Sequence, residues 1–245
     1  MLEIKNLTKL FSSGDGISNI SFSIKPGDIV GMVGDNGAGK STIIKTLFNE
    51  YGKNSGEFYL DNLPLNKKDY KKMAFFPDQS IFPNNISIEK YCTYSGCLSG
   101  ISKKTILLRT RELLKYLKLY EYKNKTFKHL SAGMQKRAML AITLISDPEI
   151  IVLDEPTSNL DLSSRFEFLE LLKKLAGSNK TILITSHIIN ELQGLINKLI
   201  IIKEGTLIYE KYLEENEMIL SIYNNKTKSN EVNKDRNNLA DIFSK

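Results

Sequence analysis

Gly34-Asp35-Asn36-Gly37-Ala38-Gly39-Lys40-Ser41 follows the apolar run Ile29–Val33 and leads straight into Thr42–Asn49. The pattern is G-x-x-x-x-G-K-[ST], set between a strand-like and a helix-like segment, which is the context a phosphate-binding loop requires. Glycines at 34, 37 and 39 let the backbone turn tightly and aim several N–H groups at one anion. The helix that follows adds the positive end of its dipole. Lys40 supplies a point charge for the β- and γ-phosphates, and Ser41 offers a hydroxyl to a magnesium ion. A glycine-rich turn bearing a surface lysine is the plain alternative, and it would not require the whole motif in this setting. The candidate nucleotide ligands are therefore Gly34, Asn36, Gly37, Ala38, Gly39, Lys40, Ser41 and Thr42.

On either side of the loop the pattern is that of an α/β domain. Leu2, Ile4 and then Ile20, Phe22, Ile24 alternate with period two, as in a half-exposed sheet. Ile43, Ile44 and Leu47 face a core from a helix expected to stop at Gly52, and Glu57–Leu60 and Met73–Phe76 read as short strands. From about 86 to 145 the character changes to helical spacing, over Thr105 to Leu119 and Met134 to Ile145, which predicts a helical lobe inserted into a sheet domain. Ile150–Leu153, Thr181–Thr185 and Leu199–Ile202 are continuous apolar runs, typical of parallel strands covered on both faces. Leu162–Leu175 and Ile188–Ile196 read as helical connections, and Thr206–Tyr209 as a closing hairpin strand. Residues 211–245 are polar, with disorder the expectation for Asn224 to Asn238. Leu239, Ile242 and Phe243 form a small apolar cluster at the end, either a docking element or a frayed terminus.

Composition narrows the class. The 245 residues are 41% hydrophobic and 25% charged, ordinary values for a globular protein. The +6 net charge comes from scattered lysines with no long basic block, so no nucleic-acid partner is expected. Cys92 and Cys97 lack the further ligands of a zinc site and read as reduced thiols. No apolar run approaches the roughly 18 residues that span a bilayer, so membrane contact is expected only through a partner.

A second motif is Ile150-Ile151-Val152-Leu153-Asp154-Glu155, an apolar strand that delivers two adjacent acids to its carboxyl end. Asp154 is a candidate magnesium ligand, and Glu155 a candidate for orienting or deprotonating an attacking water. Leu130-Ser131-Ala132-Gly133-Met134-Gln135 supplies a third: Ser131 as a helix cap and Gly133 beside a second anion-binding helix start.

Together these stretches resemble the ATP-binding subunit of ABC transporters, whose signature LSGGQ here reads LSAGM. The resemblance covers roughly residues 2 to 210. It implies a P-loop NTPase core with a mostly parallel sheet, an antiparallel N-terminal β subdomain and an inserted helical lobe. It also implies ATP and Mg2+ as cofactors, and Lys40, Glu155 and His187 as catalytic residues, His187 matching the switch histidine that contacts the γ-phosphate. Ser158-Asn159-Leu160-Asp161 matches the loop that crosses between paired subunits. Phe11 falls where the family stacks an aromatic ring on adenine, the alternative being an ordinary core phenylalanine.

One departure stands out. At the position where the family has a magnesium-sensing glutamine, this chain has Asp78, with Gln79 one residue later. Either Asp78 substitutes as a shorter charged ligand, or a small shift lets Gln79 serve. Family members pair head to tail, so a second ATPase subunit, identical or paralogous, and separately encoded transmembrane permease subunits are implied partners. The chain would then sit on the cytoplasmic face of the membrane. The segment from Asp78 to about Tyr94 is where the family receives the permease, with Phe82, Pro83 and Asn84 as contact candidates, buried packing being the alternative for Phe82. By analogy the likeness extends to exporters of peptides, drugs or antimicrobials. The rival readings are a soluble ABC-type ATPase acting on ribosome or DNA, and a hydrolytically weak regulatory subunit.

Overall fold

The computed structural model describes residues 1–78 and 85–228. Strands β1 (Leu2–Leu10) and β2 (Gly16–Ile24) pair antiparallel, burying Leu2, Ile4, Ile20, Phe22 and Ile24 on one face. A register shift between Ile4 and Leu7 adds one residue to the period-two count, so Leu7 also points inward. The chain then enters β3 (Ile29–Val33), the phosphate-loop stretch and α1 (Lys40–Leu47). It returns through β4 (Ser55–Leu60), β5 (Leu63–Pro64) and β6 (Met73–Phe76). Helices α2 (Ile88–Leu98), α3 (Lys103–Tyr116) and α4 (Ala132–Leu144) follow, then β7 (Ile150–Leu153), α5 (Leu162–Ala176) and β8 (Thr181–Ser186). The described chain closes with β9 (Lys198–Lys203), β10 (Thr206–Tyr212) and α6 (Ile219–Lys228).

Two sheets result. One is antiparallel, in the order β2-β1-β4-β5; the other runs β10-β9-β3-β8-β7-β6 and is parallel except for the β9–β10 hairpin. The inner strands of the larger sheet are buried on both sides, and their residues alternate between two cores as the pleat requires. Val152, Leu183 and Ile200 face Ile43, Ile44 and the antiparallel sheet. Ile151, Leu153, Ile182 and Ile184 face Ala138 and Ile142 of α4 and Phe168 and Leu172 of α5. This double coverage explains why β7 and β8 read as unbroken apolar runs. Gly31 is glycine because a Cβ there would lie 2.6 Å from Ile196, whose turn packs directly on β3.

Helix starts in the lobe and after it are capped as their sequences suggest. Ser87, Ser102, Ser131 and Asp161 each accept the N–H of the residue three positions on, which satisfies one orphan donor per helix. Cys92 is buried, and burial pushes its thiol up to about 12; Cys97, one turn further along α2, is exposed. Among the described residues no helix is long and apolar enough to cross a membrane.

The structure departs from the sequence reading in three places. Helix α1 ends at Leu47 rather than near Gly52, because Phe48 leaves helical geometry and its N–H closes the last turn. Residues 188–196 form only a short 3-10 turn over Ile189–Leu192, since Gly194 adopts φ 72° and breaks the run. The polar stretch after 211 is not all tail: β10 continues to Tyr212, and α6 docks through Ile219, which is fully buried, with Ile222 and Tyr223 packed beside it. Those three positions carry the i, i+3, i+4 stripe of an amphipathic helix. The apolar cluster Leu239, Ile242 and Phe243 lies outside the described residues.

Side-chain bonds tie α6 down at its start and at its middle. Gln193 accepts from the Ile219 N–H at 3.0 Å and donates to the Glu217 carbonyl at 3.1 Å. Tyr223 donates its phenol proton to Asp35 of the phosphate-loop stretch at 2.9 Å. Replacing Ile219 by alanine is expected to lower unfolding free energy by about 2–5 kcal/mol, the usual range for an Ile-to-Ala change in a core. Urea denaturation checks it, and a change within experimental scatter would show that α6 is not part of the cooperative unit.

Candidate active site

Parallel pairing brings four strand ends to one edge of the sheet. Val33 lies opposite Ser186, Leu153 opposite Ile184, and Phe76 opposite Leu153. The residues immediately beyond those ends are Gly34, Asp154-Glu155, His187 and Pro77-Asp78, so the loop, the two acids and the histidine of the sequence motifs meet there.

The loop is shaped by its glycines. A Cβ at Gly34 would lie 2.2 Å from the Ile202 carbonyl, and Gly39 adopts φ 108°, a conformation costly for any other residue. Gly39 is also the N-cap of α1, which has no side-chain cap, unlike α2 to α5. The helix therefore opens with backbone donors that no N-cap side chain satisfies. The Gly205 N–H holds the Ala38 carbonyl at 3.0 Å and pins the loop to the β9–β10 turn.

Lys40 is buried. Its ammonium donates to the Gly34 carbonyl at 2.7 Å and the Asp35 carbonyl at 3.2 Å, and stands 3.4 Å from Glu155 Oε1. Glu155 Oε2 lies 2.8 Å from His187 Nδ1, and the His187 N–H points to the same oxygen at 3.4 Å. One carboxylate thus sits between the lysine of the loop and the histidine after β8.

Asp154 is 2% exposed, and burial is the main cause holding its carboxyl above the usual range. Its oxygens are met by two hydroxyls: Thr185 Oγ1 donates at 2.6 Å, and the Ser41 side chain bonds the carboxylate from the loop side. Thr185 also accepts the Glu155 N–H at 2.9 Å. That second bond holds Glu155 in a left-handed backbone conformation, φ 45°, which costs a non-glycine residue about 1–2 kcal/mol. Thr185 was not among the residues singled out from sequence. A hydroxyl near the carboxyl end of β8, two residues before His187, was the available signal.

The remaining candidates fall around this centre. Ser131 caps α4 by accepting the Met134 N–H at 3.3 Å, and Gln135 braces the same helix start through the Phe127 and Leu130 carbonyls. Gly133 is glycine because a Cβ would lie 2.8 Å from Ser164. The bonds of this helix start stay local, so the structure does not join Ser131 and Gly133 to the loop of the same chain as it joins Glu155. Phe11 follows β1 with its ring at the surface, edge-on to Tyr51 with centroids 5.4 Å apart, which removes the reading as a core phenylalanine. Asp78 is exposed, and its Oδ1 accepts from Ser158 at 2.6 Å. Gln79, Phe82, Pro83 and Asn84 lie outside the described residues. A cleft of about 720 Å³ runs from Ser41, Asp78 and Asp154 to Tyr94 and Leu98 of α2.

A phosphate-gripping loop after one parallel strand, paired acids after a second and a histidine after a third make this a nucleotide-hydrolysing domain of the P-loop class. Comparison with known proteins narrows it. A family model described as ABC transporter matches residues 17–158. The lantibiotic transport ATP-binding protein SrtF of Streptococcus pyogenes is 32% identical over 225 residues, covering 92% of this chain and 96% of that protein. The SkfA peptide export ATP-binding protein SkfE of Bacillus subtilis is 29% identical, over 88% of this chain and 90% of its own length. Among solved structures, an ATP-binding cassette in a dimeric post-hydrolysis state with ADP and Pi superposes with a TM-score of 0.77 at 28% identity, covering 87% of this chain and 99% of that one. The chain belongs to the ABC transporter family, as an ATP-binding, ATP-hydrolysing subunit with the ABC ATPase fold.

Replacing Thr185 by valine keeps the shape and removes the hydroxyl shared by both acids. ATP turnover is expected to fall about 10–100-fold, the scale for losing a supporting hydrogen bond to a catalytic ligand. Steady-state ATPase assays beside circular dichroism of the folded variant check it, and unchanged turnover would show that the shared hydroxyl is not needed.

Proposed function

We propose that this chain powers an exporter of peptide-type cargo, working as one half of a head-to-tail ATPase pair. The observation that carries the reading is the convergence of Lys40, Asp154, Glu155 and His187 on one sheet edge, with Ser131–Gly133 bonded elsewhere. In a head-to-tail pair the loop of one copy and the α4 start of the other enclose the same nucleotide, so each copy supplies half of two sites. The pair is a homodimer or includes a paralogue. The export reading draws on relatives named for lantibiotic transport and peptide export.

In this account the loop from Gly34 to Thr42 wraps the phosphates of ATP, and Lys40, already oriented by two loop carbonyls, supplies the positive charge. Phe11 offers the adenine a ring face beside Tyr51. Glu155 takes a proton from a water whose oxygen attacks the γ-phosphorus as the bond to ADP breaks. His187, bonded to the same carboxylate, fixes its direction and reaches the released phosphoryl group. The oxygen donors at Ser41 and Asp154 fit a hard cation such as Mg2+, which would neutralise phosphate charge when bound. Asp78, on the wall of the same cleft, is the further candidate from the described residues.

Coupling to the membrane is assigned to the cleft between sheet and lobe, whose outer end exposes Tyr94 and Leu98 to a permease segment. The chain is then peripheral, held at the cytoplasmic face by its permease. Residues 1–210 form the ATPase domain with the lobe at 86–145, and α6 extends it.

Glu155→Gln is expected to cut hydrolysis by roughly 10²–10⁴-fold, the scale of a positioned general base. The same variant should trap a dimer with ATP and Mg2+, read by size exclusion with light scattering. A variant that hydrolyses like the parent, or never dimerises under those conditions, would defeat the reading.

A further inference from the structure

Lys136 is a buried charge with no part in the chemistry proposed for Lys40, Asp154, Glu155 and His187. It projects from the second turn of α4 and is 6% exposed, in a helix whose neighbouring buried positions are Ala138, Met139 and Leu140. Burying an ammonium costs several kcal/mol unless its protons and charge are met, so packing alone would favour an apolar residue here.

The ammonium is met by two separate turns of the chain, one carrying Glu155 and Ser158 and the other Asp78. It donates to Ser158 Oγ at 3.2 Å and to the Glu155 carbonyl at 3.5 Å, and it stands 3.8 Å from Asp78 Oδ1. Ser158 donates to that same Asp78 oxygen at 2.6 Å, which closes a small ring of contacts. The Phe76 ring supplies a further face, 5.4 Å from the nitrogen. Charge explains the choice of residue. Asp78, Asp154 and Glu155 gather three carboxylates at one sheet edge, and Lys40 stands against Glu155. Lys136 stands 3.8 Å from Asp78 as Lys40 stands 3.4 Å from Glu155, so each of these carboxylates has a lysine beside it.

We propose that Lys136 is a positioning residue for ATP turnover. By pairing with Asp78 and holding the carbonyl of Glu155, it locks the helix that carries Ser131 and Gly133 to the turns that present the acid and line the cleft. A rotation of the lobe would then move Asp78 and the backbone of Glu155 together. The inference rests on the proposed role of Glu155 and extends it to how that residue is aimed.

The test is a double-mutant cycle on the full chain with Lys136→Gln, Asp78→Gln and the pair. Each single change should lower kcat for ATP about tenfold while KM moves less than about threefold, the pattern of an interaction that matters in the transition state. The neutral pair should recover turnover to within about threefold of the parent, because residues in one charge network do not contribute additively. The thermal midpoint measured without nucleotide or metal should show the same recovery. If Lys136→Gln alone proves insoluble, Asp78→Gln in the same chain should restore soluble, active protein. Additive losses in kcat, or failure of the second change to rescue, would overturn the inference and leave the role of Glu155 standing. Parent-like turnover by Glu155→Gln would instead bring down both.

Discussion

Parallel pairing in register is the constraint on which the site depends. Strands β3, β8, β7 and β6 lie side by side, with Val33 opposite Ser186 and Leu153 between Ile184 and Phe76. A one-residue slip in any of these pairs would turn its strand's side chains to the opposite core. The two apolar cores, one under the antiparallel sheet and one under α4 and α5, forbid that slip. Chemistry at the strand ends is therefore fixed by burial far from the polar groups themselves.

Within that frame, charges are handled by sharing. A single hydroxyl on Thr185 serves the carboxylate of Asp154 and the backbone of Glu155, and a single carboxylate on Glu155 serves Lys40 and His187. Such arrangements are stiff, since moving one member leaves a buried group without its partner. The start of α1 follows the opposite logic, since no N-cap side chain satisfies its donors.

Much of this was legible in the sequence, for a physical reason. The loop, the strand with paired acids and the capped start of α4 are each encoded by contiguous residues, so spacing alone reveals them. Thr185 was not, because its role is set by Asp154, which lies 31 positions away. Lys136 was missed likewise: it reads as one of many scattered lysines until the fold brings Ser158 and Asp78 against it. Helix α6 was hidden by composition, its stripe of Ile219, Ile222 and Tyr223 being outweighed by asparagines and lysines around it. The run at 188–196 misled in the other direction, its apolar spacing suggesting more helix than Gly194 permits.

The two thiols of α2 are chemically unequal. Cys92 is enclosed and held far from its reactive thiolate form, whereas Cys97 is open to solvent one turn away. A maleimide dye would therefore attach to a single place on the helical lobe of the natural chain. Fluorescence from that place would report on the surroundings of the helical lobe during turnover without any cysteine having to be engineered.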